Sequence, residues 1–264
     1  MIDLLKAQKE FKEYLKDYNL EDERVKLKVT HTYGVVEASK NLADKLNLNE
    51  EDTRLSELIA LLHDIGRFEQ SKVIENVFDK ADTKYFDHAK FGVKILFEDN
   101  LIRKFIADSA YDNIIYKAIL NHNKYKIEDN LNEKELLHAK LIRDNDKTDN
   151  FRVKLTEKLS VILGTEDMEK IYADTISDKI YEDFMNKKQL KIDDRETYLD
   201  SWVSYISFIF DYNFAEGLMY LKENDLVNKM FDKIKYKNPE TIERICNMRR
   251  VANEYLVERT NNII

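Results

Sequence analysis

Glycine, proline and cysteine are scarce in this chain, with five, one and one among 264 residues. Ordinary usage is about 7% glycine and about 5% proline, so little material is left for tight hairpins, and helices joined by short polar turns are expected instead. The single cysteine, Cys246, excludes an intramolecular disulfide and suits a reducing compartment. Positive charge is also in deficit. With 51 acidic against 43 basic residues the formal charge is −8, which removes the global basic field that gathers nucleic acid and argues against a duplex partner. No run approaches the roughly 20 apolar residues of a membrane span, and the first residues, Met-Ile-Asp-Leu-Leu-Lys, lack a basic stretch leading into an apolar one. The expectation is a soluble cytoplasmic protein with no membrane partner. Gly-rich phosphate loops, internal repeats and low-complexity linkers are likewise missing.

What the chain has is helical punctuation. An amphipathic segment runs from about Asp3 to Tyr18, and a second, from Glu21 to Leu46, carries Leu27, His31, Val35, Ala38 and Leu42 at helical spacing. Asn49 reads as an N-cap, with Glu50, Glu51 and Asp52 in the first turn of a helix reaching Asp64, and Gly66 reads as its stop. Between Leu58 and Leu62 this helix is apolar on every side, as the central helix of a bundle must be. Further helices are expected over Asp87–Glu98, Tyr111–His122, Asn132 to about Leu155, Ser160–Leu163, Glu166–Asp174, Asp178–Asn186 and the aromatic stretch Glu196–Leu221. Asn238, Pro239 and Glu240 open a last one, running to about Glu258. The fold class is all-α. Residues 1–155 form the helical core, and 156–264 a helical C-terminal region expected to pack on it and complete the pocket.

Four of the five histidines sit on the apolar stripe of their own helix. His31 aligns with Leu27 and Val35, His63 with Ile59 and Ala60, His88 with Phe91 and Ile95, and His122 with Ile115, Ala118 and Ile119; Asp146 follows Ala139 and Ile142 in the same way. Burying imidazoles and a carboxylate without partners is costly. A shared divalent metal is the simplest partner, and His with Asp suits Mn, Fe, Co, Ni or Zn.

In this order, His31, then Leu-Leu-His63-Asp64-Ile-Gly, then Asp146 in Arg-Asp-Asn-Asp146-Lys-Thr-Asp, the chain resembles the H…HD…D signature of the HD-domain superfamily over about residues 25–155. The resemblance implies a helical bundle in which His31, His63, Asp64 and Asp146 hold one metal. His88 and His122 fall where dinuclear members place two extra histidines, which implies a second ion, with Asp64 bridging; Mg is added to the candidate metals. It further implies hydrolysis of a phosphate ester or anhydride, of a small nucleotide by preference, by metal-activated water. Asp64 is then catalytic as well as a ligand. Arg67 stands where an HDIGK variant has Lys and becomes the leading phosphate-binding candidate, followed by Lys147, Lys124 and Arg143. The residues after Gly66 read Arg-Phe-Glu-Gln, and the Gly-Tyr-Pro motif of the cyclic-di-GMP phosphodiesterase branch is missing.

Two alternatives accompany this reading: a diiron oxygenase of the same superfamily, and a non-catalytic nucleotide-binding sensor. Among the remaining residues, Asp149 reads either as a support for the site or as a partner of Arg152 or Lys147. Asp144 is expected in solvent, His138 as structural or surface, and Cys246 as a small buried hydrophobe. Trp202, Tyr205, Phe208 and Tyr212 are expected to pack the C-terminal half against the bundle.

Overall fold

A computed structural model describes residues 2–73 and 87–261. It is all-α, with no strand among the described residues, and it divides into two compact units, Met1–Asp149 and Asn150–Ile264. In the first unit the helices are α1 (Leu4–Leu15), α2 (Glu23–Lys45), α3 (Glu50–Leu62), α4 (Ile65–Val73), α5 (His88–Val93), α6 (Ile102–Phe105) and α7 (Asp112–Asn121). The chain leaves it along α8 (Glu133–Thr156). Polar caps set the starts: Asp3, Asp22, Asn49 and Asp87 each accept a backbone N–H in the first turn of their helix.

The centre of this unit is α3. Leu55 and every residue from Leu58 to Leu62 are buried, so the all-round apolar stretch is the core helix its composition predicts, and α1, α2 and α7 pack around it. Each such Leu or Ile contributes on the order of 1.5–3 kcal/mol relative to exposure. Phe11, Phe68 and Phe105 close the same core.

Gly66 does not stop this helix. The helix ends at Leu62, where His63 and Asp64 form the junction, and Gly66 lies in the first turn of α4. Its requirement is space. A Cβ on Gly66 would lie 2.2 Å from the His88 carbonyl oxygen and 2.8 Å from the Gly92 nitrogen, so α4 and α5 meet backbone to backbone. The segment expected as one helix to Glu98 also changes character, turning from α-helix to π-helix at Lys94–Glu98.

The second unit contains α9 (Leu159–Leu163), α10 (Met168–Ala173), α11 (Asp178–Met185), α12 (Tyr198–Ile206), α13 (Ala215–Glu223), α14 (Leu226–Asp232) and α15 (Pro239–Thr260). Its core surrounds Trp202, whose indole N–H donates to the Met230 carbonyl at 3.2 Å; Tyr205 and Tyr212 belong to the same core, with Phe208 partly buried against it. A Thr197–Asp200 capping box opens α12, and Asn238 with Pro239 opens α15 as expected. The stretch expected as one helix over Glu196–Leu221 breaks instead into α12, a 3₁₀ turn over Ser207–Asp211, and α13. Ser204 and Ser207 turn their hydroxyls back onto the carbonyls of Ser201 and Ser204, a competition that disfavours continued helix. Cys246 is exposed on α15 rather than buried. Among the described residues no helix is long and apolar enough to cross a membrane.

Candidate metal centre

All six candidate ligands converge in the first unit. His31 comes from the middle of α2, His63 and Asp64 from the junction after α3, His88 from the first turn of α5, His122 from the end of α7 and Asp146 from α8. Their donor atoms form three overlapping groups, each within 4.8 Å: His31, His63 and Asp64; His63, His122 and Asp146; and Asp64, His88 and His122. The five residues other than Asp146 are buried, while the Asp146 side chain keeps 21% exposure.

Asp64 joins the groups through its two oxygens. Oδ2 lies 3.9 Å from His31 Nε2 and 3.8 Å from His63 Nε2. Oδ1 lies 3.3 Å from His88 Nε2 and 3.6 Å from His122 Nε2. Asp146 Oδ1 adds itself to the first side, 3.1 Å from His31 Nε2 and 4.0 Å from His63 Nε2.

Each ring is oriented by its other nitrogen. His63 Nδ1 donates to the Ala60 carbonyl and His122 Nδ1 to the Ile119 carbonyl, both at 2.7 Å. A carbonyl only accepts, so these bonds fix the Nδ1–H tautomer and turn the Nε2 lone pair inward. His31 Nδ1 meets Asp149 Oδ2 at 2.7 Å, in keeping with the reading of Asp149 as a support for the site. His88 Nδ1 faces the Asn123 amide at 3.5 Å, and its Nε2 lies 2.9 Å from His122 Nε2.

Electrostatics follow from burial set against these partners. Burial alone draws His31 down, but hydrogen bonds to Asp146 and Asp149 and the charge of Asp64 lift it to about 9. His63 has charged neighbours but no such hydrogen bond, and burial takes it down to about 4. Burial raises both carboxylates, yet the surrounding imidazoles outweigh it and hold Asp64 and Asp146 below the ordinary range, with Lys28 assisting at Asp64. The residues fit a divalent ion on one further observation. His63 Nε2 is fully buried and has no hydrogen-bond partner among the described residues, a state whose cost a coordinated ion removes.

The phosphate-binding candidates separate. Arg67 lies beside the site, its Nε 3.8 Å from Asp64 Oδ1 and its Nη1 donating to Gln70 at 3.0 Å. Lys147 is buried on α8. Lys124 pairs with Glu128 at 3.0 Å. Arg143 is buried and donates to the carbonyls of Asn121, His122, Lys124 and Tyr125, so it braces the chain around His122. Asp144, expected in solvent, is buried, because the middle of α8 is covered on every side. His138 is structural: it is buried, with Nε2 3.1 Å from Asp52 Oδ1. Sequence reasoning passed over Lys28, whose Nζ is 3.9 Å from Asp64 Oδ2; its position one helical turn before His31 was the available signal.

Compared with known families, residues 29–150 match the HD domain. No curated protein and no solved structure matches the chain.

Proposed function

We propose, from the premise that residues 29–150 of the chain belong to the HD-domain family, that the protein is a metal-dependent phosphohydrolase acting on a phosphate ester or anhydride, with a small nucleotide the preferred class. The observation that carries the reading is the divided Asp64 carboxylate: one oxygen faces His31 and His63, the other His88 and His122. Such an arrangement supports two ions sharing one carboxylate. The first would be held by His31, His63, Asp64 and Asp146, and the second by Asp64, His88 and His122.

A divalent ion in such a site polarises the phosphoryl group and makes water acidic enough to attack at neutral pH. The chain supplies the rest. Carbonyls and Asp149 lock the imidazoles before any ligand arrives, so little reorganisation is needed. Arg67, beside Asp64, is suited to a phosphoryl oxygen through its planar guanidinium; Lys147, next in sequence to Asp146, is the lesser candidate. In the overall step a water oxygen bonds to phosphorus and gives up one proton, the bond from phosphorus to the leaving oxygen breaks, and the leaving oxygen takes up one proton.

The test is a screen of protein loaded in turn with Mn, Co, Ni, Mg, Zn or Fe against nucleotides and phosphate esters, with metal content measured on the same samples. Turnover that Asp64→Asn abolishes is expected. Full metal content with no turnover overturns the reading, and substrate-dependent oxygen uptake by the iron form replaces it with oxidation. A nucleotide that raises the melting temperature yet is recovered intact replaces it with sensing.

A further inference from the structure

Lys28 stands apart from the paired lysines of its unit. Lys16 and Lys117 close on Glu13 and Glu128 at 2.7 Å, and Lys26 on Glu21 at 3.1 Å. The one ion pair of Lys28 among the described residues is with Asp64, at 3.9 Å, beyond the 2.7–2.9 Å or so of a charge-assisted hydrogen bond. Its side chain is 38% exposed, so the stem reaches from solvent toward a buried carboxylate without closing on it. Arg67 approaches the same carboxylate from its other oxygen at 3.8 Å. One cation from α2 and one from α4 therefore flank the group on which the candidate ligands converge.

We propose that Lys28 is a substrate-binding residue which, with Arg67, forms a two-point clamp for the terminal phosphoryl group of a phosphate monoester. The proposal rests on the hydrolase reading above and narrows its substrate class. A monoester phosphoryl group has three non-ester oxygens, enough to meet Lys28, Arg67 and the ligand cluster at once. A diester has two, so one cation would face an ester substituent. The monoester also brings a second negative charge to a carboxylate flanked by two cations, Lys28 and Arg67. With a chain carrying −8 overall, attraction of an anion depends on such local charges.

Lys28→Gln tests this, with Lys28→Arg as the conservative control, both metal-loaded and assayed for metal content. Calorimetric titration with inorganic phosphate reads binding without turnover. The ratio of kcat/KM for p-nitrophenyl phosphate to that for bis(p-nitrophenyl) phosphate reads the choice of substrate. Metal content equal to wild type is expected, with phosphate affinity down about tenfold or more on loss of a hydrogen bond between charged groups. The monoester preference should shrink by a similar factor, and Lys28→Arg should restore most of both. Unchanged phosphate affinity overturns the clamp, as does a loss of metal that accounts for the weaker binding, which would make Lys28 a positioning residue for Asp64. The two readings fail separately. Phosphate binding that depends on Lys28, in a protein that cleaves neither ester, removes the hydrolase and keeps the clamp; ester hydrolysis with phosphate binding indifferent to Lys28 does the reverse.

Discussion

At the scale of single residues, the orientation of His31 depends on the lack of a side chain at Gly34. Gly34 lies one turn beyond His31 on α2, and a Cβ there would sit 2.0 Å from Asp149 Oδ1 and 2.5 Å from its Cγ. Asp149 is buried, so it cannot yield to that methyl and still hold His31 Nδ1 at 2.7 Å. Gly34→Ala and Asp149→Ala should each weaken metal binding by about 10- to 100-fold, the usual cost of losing an outer partner of a ligating histidine, while leaving helicity intact. Competition against a chromophoric chelator measures this. The double variant should bind no more weakly than Asp149→Ala alone, because both changes act on one contact. Metal affinity unchanged in Gly34→Ala would remove the glycine from this role. Asp149 was legible as a candidate because helical spacing places it one turn from Asp146, but spacing gives no direction into or out of the site. The same blindness put Asp144 in solvent and Cys246 in the interior, since both depend on what covers the far side of a helix.

At the scale of elements, the site depends on how closely helices approach. Gly66→Ala pushes a methyl into the His88 carbonyl and the Gly92 nitrogen, and neither backbone atom can rotate away. The expected loss is about 1–3 kcal/mol, the range of overpacking, visible as a lower urea midpoint. His88 should shift with its backbone, lowering the metal stoichiometry more than Gly34→Ala does. A second tie joins α3 to α8, where neutral His138 donates Nε2–H to Asp52 Oδ1 at 3.1 Å and its buried Nδ1 has no partner among the described residues. Burial lowers the His138 pKa and Lys134 adds to this, against the opposing pull of Asp52 and Glu51. Its folded value therefore lies below the unfolded value of about 6.5. As pH falls below about 6.5 the unfolded chain takes a proton that the folded protein refuses, and stability declines. His138→Gln keeps an N–H donor for Asp52 but cannot titrate. In chelator, its stability should fall less steeply than wild type between pH 7 and pH 5; equal slopes would exclude His138 from the acid response.

For the whole molecule, the sequence carried local signals well and spatial ones poorly. Caps such as Asn49 and the Asn238–Pro239 pair marked helix starts correctly, because an N-cap acts on the turn that follows it. The convergence of the six candidate ligands was legible because an imidazole on an apolar stripe contradicts its surroundings. The role of Gly66, the break between α12 and α13, and the existence of α14 depend on neighbours distant in sequence and left no local pattern. The division into Met1–Asp149 and Asn150–Ile264 has a consequence that can be measured. All six candidate ligands lie in the first unit, while the single tryptophan, Trp202, lies in the core of the second. An ion that binds only the folded first unit adds about 4.1 kcal/mol to its stability at 1,000 times Kd. Far-UV circular dichroism follows helices in both units, whereas Trp202 fluorescence follows the second alone. Adding metal should therefore move part of the helical transition upward while displacing the fluorescence transition less, and chelator should reverse the change. Equal displacement of the two signals would mean that both cores melt in one cooperative step, with the metal stabilising the chain as a whole.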